Sequence, residues 1–276
     1  FNAETPAAAA YVDELSDVFT NLPIMAAFQR YYNAVHQPAR PGSLNSILEC
    51  WRAWGGKGRP RVAILDWREV PTYHEFVLWV EYFARQGIEA RIIDPREVEY
   101  SGGRLRHGDF AIDLVYKRVL ISELVERGGM SHPVFAALRA GAVCMVNPLR
   151  CKPLYKKASL AVLSDDGNAG LFTRPQREAI AAHIPWTRVM EERKTGRDST
   201  EVDLIAFTLA NKDGLVLKPN DDYGGKGIVL GWTVDAARWE EAVRVALSTP
   251  YIVQERVELP SEPWPAWDDG GLHVGD

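Results

Sequence analysis

The segment GLVLKPNDDYGGKGIVLGW, residues 214–232, carries the strongest structural signal in this chain. Its apolar start predicts a strand that ends at Lys218, and the residues after the loop predict a second strand. The loop contains three glycines and a further lysine: Gly224, Gly225, Gly227 and Lys226. Glycines let backbone N–H groups turn towards a ligand without a Cβ in the way, and the lysines add positive charge. We therefore interpret the segment as a phosphate cradle, with an ordinary hairpin and a glycine turn as the alternative.

Two common phosphate-binding motifs are excluded for this segment. In a Walker P-loop the lysine is followed by Ser or Thr, whereas Lys226 is followed by Gly227. A dinucleotide-binding fingerprint leads into a helix, whereas a strand is predicted here. A phosphate at this loop would therefore be bound between two strands, and not at the strand-to-helix turn that those two motifs form.

The segment YIVQERVELP, residues 251–260, predicts a buried strand that ends in polar residues before a proline. A strand end of this kind can offer backbone N–H and C=O groups to the edge of an adenine. An ordinary strand with polar ends is the alternative, and this segment by itself favours that alternative.

Between residues 59 and 148, predicted strands and helices alternate. Apolar runs of strand length lie at 61–66, 88–93, 110–116 and 142–146, and helical periodicity lies at 73–86, 122–127 and 133–140. Gly87 is placed to end the first of these helices. Alternation of this kind predicts a mostly parallel α/β sheet.

The N-terminal segment FNAETPAAAAY, residues 1–11, predicts a helix that Thr5 caps and Pro6 begins. Asn2 and Glu4 stand directly before that helix. Short oxygen-bearing side chains are the ligands that Mg²⁺ takes when it also holds nucleotide phosphates. Capping of the helix, with Glu4 favoured by the helix dipole, is the alternative for these two residues.

Further elements follow from the same signals. Helices are predicted at 23–35, 44–54, 157–163, 174–182 and 235–247, a loop at 37–43, a charged stretch at 191–201, and a tail from residue 260 without a closing element. We expect three parts: a helical N-terminal segment at 1–58, a substrate domain at 59–148, and a nucleotide-binding part at 149–276 that is incomplete at its C-terminal end.

Composition excludes several classes of protein. The chain has 32 Lys and Arg against 37 Asp and Glu, a net charge of -5, which argues against a nucleic-acid backbone as the partner. No apolar run reaches the ~18 residues that a membrane span needs. The three cysteines show no C-x-x-C spacing, so reduced thiols and a cytoplasmic location are expected.

Two more basic segments are candidates for anion binding. DLVYKR, residues 113–118, ends in Arg118, and NPLRCKPLYKK, residues 147–157, ends in Lys156 and Lys157 just before a predicted helix. A lysine at this point could reach a phosphate, although lysines at helix starts are more often simply solvated.

Taken in order, these segments resemble circularly permuted ATP-grasp ligases of the kind that includes glutathionylspermidine synthetase and eukaryotic glutathione synthetase. The resemblance runs from residue 1 to about residue 265 and is most specific in FNAETP, DLVYKR, NPLRCKPLYKK, LVLKPNDDYGGKG and YIVQERV. It implies a circularly permuted ATP-grasp fold with a preceding parallel α/β domain. It also implies ATP and Mg²⁺ as cofactors.

The resemblance assigns roles to particular residues. Metal ligands would be Asn2 and Asp222, with Glu4 as a further candidate, and we expect Asn2 and Asp222 to face the same cation. Phosphate lysines would be Lys218 and Lys157, with Lys156 as the alternative to Lys157. The flap over the phosphates would be Gly224, Gly225, Lys226 and Gly227, and the adenine hinge would be Gln254, Glu255 and Val257. Arg118 would contact the carboxylate-bearing substrate.

The function that this implies is ATP-dependent joining of a small-molecule carboxylate donor to an amine acceptor through an acyl phosphate. One departure stands out: the acidic metal ligand that the family places two positions before the asparagine would lie upstream of residue 1. A catalytically degenerate nucleotide-binding module with a regulatory or assembly role is therefore a second hypothesis. A ligand-binding or sugar-transfer domain built on residues 61–146 is a third, which leaves the glycine loop unexplained.

Overall fold

The computed structural model describes residues 3–261, 263–268 and 270–275. The chain forms two compact units, of which the first ends at Tyr155 and the second begins at Lys156. Each unit is built around its own buried apolar residues. Within the described ranges, no helix combines the length and the apolar composition that crossing a membrane requires.

The first unit is a mixed α/β structure. In chain order it contains α1 (Ala9–Thr20), α2 (Pro23–Phe28), α3 (Ala39–Trp54), β1 (Val62–Leu65), α4 (Tyr73–Arg85), β2 (Ala90–Ile93), β3 (Glu99–Ser101), β4 (Arg104–His107), β5 (Phe110–Ile112), β6 (Leu114–Lys117), α5 (Ile121–Gly128), α6 (Pro133–Arg139), β7 (Cys144–Val146) and α7 (Lys152–Tyr155). The main sheet has the strand order β2-β1-β6-β7, and each of its pairings is parallel. The predicted parallel α/β sheet is confirmed.

Apolar side chains cover both faces of this sheet. Along β1, Ala63 and Leu65 belong to one buried cluster, whereas Val62 and Ile64 belong to the other. This division follows from the strand itself, because successive side chains point to opposite faces. Strands buried on both faces are typical of parallel sheets, since the crossover helices cover each side.

Helix α4 covers one face with three aromatic residues. Phe76, Trp79 and Phe83 stand at i, i+3 and i+7 and are fully buried, so they form one stripe of the helix. The helix ends two residues before Gly87, whose φ of 70° is in the left-handed region that glycine adopts without strain. The predicted end of this helix is confirmed.

Helix α3 begins at Ala39, so the prediction of a loop at 37–43 with a helix from 44 was wrong. The cause is a cap supplied from a distant position. The carboxylate of Asp13 accepts hydrogen bonds from the backbone N–H groups of Ala39 and Arg40 at 2.7 and 3.0 Å. These bonds satisfy free N–H groups of the first helical turn, so the helix begins five residues earlier than the local sequence indicated.

The helix predicted to begin at Pro6 begins instead at Ala9, after Ala8 in the left-handed region. The second predicted helix ends at Phe28 rather than near residue 35. The backbone carbonyl of Glu4 accepts hydrogen bonds from Lys117 Nζ and Asn147 Nδ2, which holds this segment outside the helix.

The strand predicted at 110–116 is two strands. Asp113 separates β5, which belongs to a small antiparallel sheet β3-β4-β5, from β6 of the main sheet. The carboxylate of Asp113 accepts hydrogen bonds from the backbone N–H and the guanidinium of Arg61. This interaction turns the chain from one sheet into the other. Strands β3 and β4 were not predicted.

The second unit contains α8 (Ala158–Ser164), α9 (Arg174–His183), β8 (Thr187–Val189), β9 (Lys194–Arg197), β10 (Thr200–Asp203), α10 (Leu204–Ala210), β11 (Leu215–Pro219), β12 (Val229–Leu230), α11 (Ala236–Ser248), β13 (Tyr251–Glu255), β14 (Trp264–Asp268) and β15 (Gly271–Gly275). Its four-stranded antiparallel sheet has the order β12-β11-β13-β8. The charged stretch at 191–201 contains β9 and the start of β10, which pair as a hairpin, and the tail contains the hairpin β14-β15; neither hairpin was predicted.

One face of this antiparallel sheet is apolar and packs with helices α10 and α11. Leu215, Leu217 and Val253 join Trp239 of α11 in a buried cluster. Alternation along the strands therefore sends Lys218 and Gln254 to the other face. That polar face is the part of the fold that positions the candidate site.

A glycine next to this sheet tests the packing. A Cβ on Gly231 would lie 1.8 Å from the backbone carbonyl oxygen of Lys212, so Gly231→Ala forces the backbone apart. We expect a loss of about 3 kcal/mol in the free energy of unfolding, measured by urea denaturation. Gly214→Ala is the matched control, because a Cβ there meets nothing within 4 Å. Equal stability of the two variants would contradict the packing described here.

Candidate functional site

The other face of the antiparallel sheet carries the polar side chains of Thr187, Lys218 and Gln254 beside the apolar Val216 and Ile252, and Lys157 stands next to it at the start of α8. We call this face, with Lys157, the lysine face. The pairing of β11 with β13 sets Lys218 opposite Ile252 and Val216 opposite Gln254, so Lys218 and Gln254 are diagonal neighbours on one side of the sheet. The Nζ of Lys218 donates a hydrogen bond to Oε1 of Gln254 at 2.7 Å. The lysine side chain is thus fixed by a neutral partner.

Lys218 keeps its charge without a carboxylate beside it. Among the described residues, no Asp or Glu lies within ion-pair distance of its ammonium group. Burial lowers the pKa of Lys218, and the positive charge of Lys157 lowers it further. Two ammonium groups that destabilise each other in this way create a field that favours a bound anion.

Lys157 reaches the same region from the start of α8. Its backbone N–H donates to the carbonyl oxygen of Asn220 at 3.0 Å, and its Nζ donates to the carbonyl oxygen of Asp222 at 2.8 Å. The N–H of Ala158 donates to the side chain of Asn220 at 2.8 Å. These bonds fasten the glycine-rich loop to the helix start, so the two predicted phosphate lysines are brought to one place.

The neighbouring Lys156 behaves differently. Its Nζ lies 3.8 Å from the carboxylate of Asp221, and its side chain is 43% exposed. Lys157, by contrast, donates to the carbonyl oxygen of Asp222, and its charge lowers the pKa of Lys218. The assignment of either lysine to phosphate stays a prediction.

The glycine-rich loop has the backbone that its sequence predicts. Gly224, Gly225 and Gly227 have φ of 64°, 77° and 67°, in the region that favours glycine. A Cβ on Gly227 would also lie 2.8 Å from the hydroxyl of Tyr251, which donates a hydrogen bond to the Gly227 carbonyl. Lys226 lies in solvent, 4.9 Å from the ring centre of Tyr223. The loop is thus held at one end and exposed at its tip.

The predicted hinge residues lie at the far end of β13. Glu255 donates its backbone N–H to the carbonyl of Trp186 at 2.8 Å, and its carboxylate takes two hydrogen bonds from the guanidinium of Arg197. This ion pair lowers the pKa of Glu255. Val257 is exposed. The side chain of Gln254 faces Lys218 and Thr187, and the adenine hinge stays a prediction for all three residues.

A cavity of about 830 Å³ borders this hinge. Its lining mixes apolar and charged side chains, among them Asp165, Phe172, Trp186, Arg197, Glu255 and Val257. Concave sites with a few well-placed polar groups are typical of small-molecule binding. Of the predicted hinge residues, Glu255 and Val257 line this cavity.

A second polar cluster occupies the carboxyl ends of the parallel strands in the first unit. Asp66 comes directly after β1, and Asn147 comes directly after β7. Lys117 is the last residue of β6, and Arg118 comes directly after it. In open parallel sheets, ligands bind outside the carboxyl ends where the strand order reverses, and here that point lies between β1 and β6. We call these residues the strand-end cluster.

Glu4 is joined to this cluster by buried ionic contacts. One carboxylate oxygen accepts from the N–H of Ile121, and the other lies 2.9 Å from Lys152 Nζ. Lys117 is fully buried, and its Nζ donates to the backbone carbonyls of Glu4 and Val119 at 3.1 Å. Burial lowers the pKa of Lys117, and Glu4 opposes that effect. Glu4 therefore serves as the counter-ion of two lysines.

These surroundings do not suit the predicted magnesium site. A carboxylate that already faces two ammonium groups is a poor cation ligand, and the carboxylate of Asp222 accepts the N–H of Tyr223. Asn2 lies outside the described residues. Within the described part of the chain, no group of three His, Cys, Asp or Glu side chains is arranged for a metal ion. Metal binding by Asn2, Glu4 and Asp222 stays a prediction.

Arg118 is buried beside Glu75. Its Nη2 lies 3.2 Å from the Glu75 carboxylate, and its guanidinium lies over the rings of Phe76 and Tyr116, at 5.1 and 5.9 Å from their centres. Its Nε and Nη1 have no hydrogen-bond partner in the described structure. Buried N–H donors of arginine that lack a partner are suited to a carboxylate. The role of Arg118 in binding the substrate stays a prediction.

Asp66 was not singled out from the sequence. It is buried directly after β1, and burial raises its pKa to about 6 despite the N–H of Trp67 and the charge of Arg118. A carboxylate held where its charged form is unfavourable is a candidate for function. The available signal was a polar residue immediately after a fully apolar strand, which is also how many solvated turns begin.

The raised pKa of Asp66 predicts a pH effect. Because the folded protein holds this proton up to about pH 6 and the unfolded chain loses it near pH 4, stability falls as pH rises between those values. Asp66→Asn should therefore raise the free energy of unfolding at pH 7 by about 2–3 kcal/mol and change little at pH 4. Urea denaturation at both pH values measures this.

The control for this prediction is Asp109→Asn, whose side chain is 91% exposed. It should change stability little at either pH. A loss of stability at pH 7 in Asp66→Asn would show that the carboxylate of Asp66 stabilises the fold, and the interpretation above would be wrong.

No family model matches this chain. A protein of Frankia casuarinae that carries the provisional name glutamate–cysteine ligase 2-2 is 25% identical over 242 residues, covering 84% of this chain and 26% of that protein. The chain thus spans about a quarter of the length of this curated relative.

Solved structures show partial similarity. D-cycloserine synthetase DcsG is 18% identical with a TM-score of 0.42, over 71% of this chain and 59% of its own. A RimK-domain ATP-grasp protein from Sphaerobacter thermophilus is 23% identical with a TM-score of 0.38, over 72% and 65%. The glutathione synthetase-like effector GSS30 from Globodera pallida is 15% identical with a TM-score of 0.42, over 78% and 45%.

Proposed function

We propose that this chain is an ATP-dependent carboxylate–amine ligase whose second unit binds the nucleotide. The observation that carries the proposal is the pair of lysines on the lysine face. Lys218 is half-buried and bonded to a neutral amide, and Lys157 is close enough to lower its pKa. Two lysines that lie close together in this way are suited to a polyphosphate.

Three further features agree with ATP. The glycine loop is fastened to Lys157 through Asn220 and Asp222, which places its backbone next to the cationic pair. The cavity at Glu255 has room for a nucleobase at the other end of the same strand pair. The curated relative also carries the name of a ligase.

The chemistry that we propose needs no nucleophilic side chain. A carboxylate oxygen of the donor attacks the γ-phosphorus of ATP, the bond to the β-phosphate oxygen breaks, and an acyl phosphate and ADP form. An amine of the acceptor then attacks the acyl carbon, releases phosphate, loses a proton and leaves an amide. Catalysis of phosphoryl transfer is mostly positioning and charge stabilisation, which is what Lys157 and Lys218 would supply.

The finer assignments belong to the same proposal. Arg118 would bind the carboxylate donor through its unpartnered Nε and Nη1, and the glycine loop would cover the phosphates. Circular permutation and a glutathionylspermidine synthetase-like reaction are supported by the order of the sequence motifs. Mg²⁺ would be expected with the nucleotide, held mainly by the phosphates and by one or two oxygen-bearing side chains.

ATP binding is tested by thermal unfolding with and without ATP. A ligand at a hundredfold excess over its Kd stabilises the folded state by about 2.7 kcal/mol, so we expect a clear rise in Tm. Lys218→Ala should abolish that rise. Lys194→Ala is the control, because its side chain is 71% exposed and pairs with Glu201 away from this face. An unchanged Tm for the parent chain would contradict the proposal.

Turnover separates the ligase from the non-catalytic module. We expect ADP release by this chain only when a carboxylate donor and an amine acceptor are both present, measured in a coupled assay over a panel of each. ATP binding without ADP release over the whole panel would favour a degenerate nucleotide-binding module instead.

A further inference from the structure

A line of three hydrogen bonds crosses the lysine face. Lys218 Nζ donates to Gln254 Oε1 at 2.7 Å, Gln254 Nε2 donates to Thr187 Oγ1 at 2.9 Å, and Thr187 Oγ1 donates to the carbonyl oxygen of Pro185 at 2.8 Å. Thr187 is fully buried and Gln254 is 6% exposed. Water is therefore kept from the bond between Gln254 and Thr187.

The chemistry of the groups fixes the direction of this line. An ammonium group can only donate, so the amide atom that faces Lys218 must be the oxygen. The amide nitrogen then faces Thr187, whose hydroxyl must accept. The hydroxyl proton of Thr187 has one acceptor left in the line, the carbonyl of Pro185. The orientation of Gln254 is thus set by Thr187.

The backbone of Thr187 is itself held firmly. Its N–H donates to Ser164 Oγ at 3.0 Å, and its carbonyl accepts from Nη1 of the buried Arg188 at 2.7 Å. The far end of the hydrogen-bond line is therefore anchored on both sides of the threonine. Rotation of the Gln254 amide away from Lys218 would have to break its buried bond to Thr187, which is costly.

We infer that Thr187 and Gln254 are positioning residues that hold the ammonium group of Lys218 for a polyphosphate ligand. The inference rests on the proposed function. A neutral amide fixes the direction of Lys218 while leaving its charge available, whereas a carboxylate at this position would neutralise it. The identity of residue 254 would thus decide how strongly the face attracts an anion.

Three substitutions separate positioning from packing. Gln254→Glu keeps the shape and adds a negative charge next to Lys218. Thr187→Val keeps the shape and removes the hydroxyl, and Thr187→Ser retains the hydroxyl. We expect the affinity for ATP, measured by calorimetry at pH 7.5, to fall at least tenfold in the first two variants and less than threefold in Thr187→Ser.

The titration of Lys218 gives a readout that does not need the nucleotide. Its midpoint is measured from the pH dependence of labelling by an amine-reactive reagent, followed by mass spectrometry of the peptide. Gln254→Glu should move the midpoint to higher pH, because an opposite charge favours the ammonium form. Thr187→Val should move it to lower pH, because the ammonium loses its oriented acceptor.

The outcomes distinguish the inference from the proposed function. If the parent chain binds no ATP, the proposed function fails, and the shifts of the Lys218 midpoint still decide whether Thr187 and Gln254 orient it. If Thr187→Val lowers the Tm but leaves both the ATP affinity and the midpoint unchanged, the threonine is only structural and the inference is overturned. Midpoints that move in the same direction in both variants would also overturn it.

Discussion

The positive charge of Lys218 is the constraint around which the second unit is organised. A half-buried ammonium group is unfavourable unless something stabilises it, and here the stabilising group is an amide rather than a carboxylate. The sheet places the lysine on its polar face through strand alternation, and Lys157 brings a second charge to it. The fold thus maintains an electrostatic imbalance that an anionic ligand would relieve.

The first unit also holds polar groups in unfavourable surroundings, at the carboxyl ends of its parallel strands. Asp66 is held buried where its ionised form is unfavourable, and Arg118 keeps two donors without partners. Glu4, in contrast, is fully compensated by Lys117 and Lys152. Polar groups in unfavourable surroundings are thus concentrated at the carboxyl ends of the strands, where ligands bind in α/β sheets. Groups of this kind are typical of functional sites.

Much of the fold follows from periodicity that the sequence displays. The apolar runs and the stripe of Phe76, Trp79 and Phe83 indicated the parallel sheet and its covering helix. The early start of α3 could not be predicted, because Asp13 caps it from 26 positions away. For the site, the lysines and glycines were visible as types, whereas the orientation of Gln254 depends on Thr187, 67 positions distant. A hydrogen bond between two side chains that are far apart in the chain produces no periodic pattern in the sequence.

Lys152 and Lys157 stand close together on one short stretch, yet each is bonded within a different unit, the first to Glu4 and the second to Asp222. A cut between Tyr155 and Lys156 would therefore leave each of the two lysines in the same fragment as its acceptor. Fragments for separate expression are best divided at this peptide bond rather than at a boundary chosen from the sequence motif, because the basic segment 147–157 contributes side chains to both units.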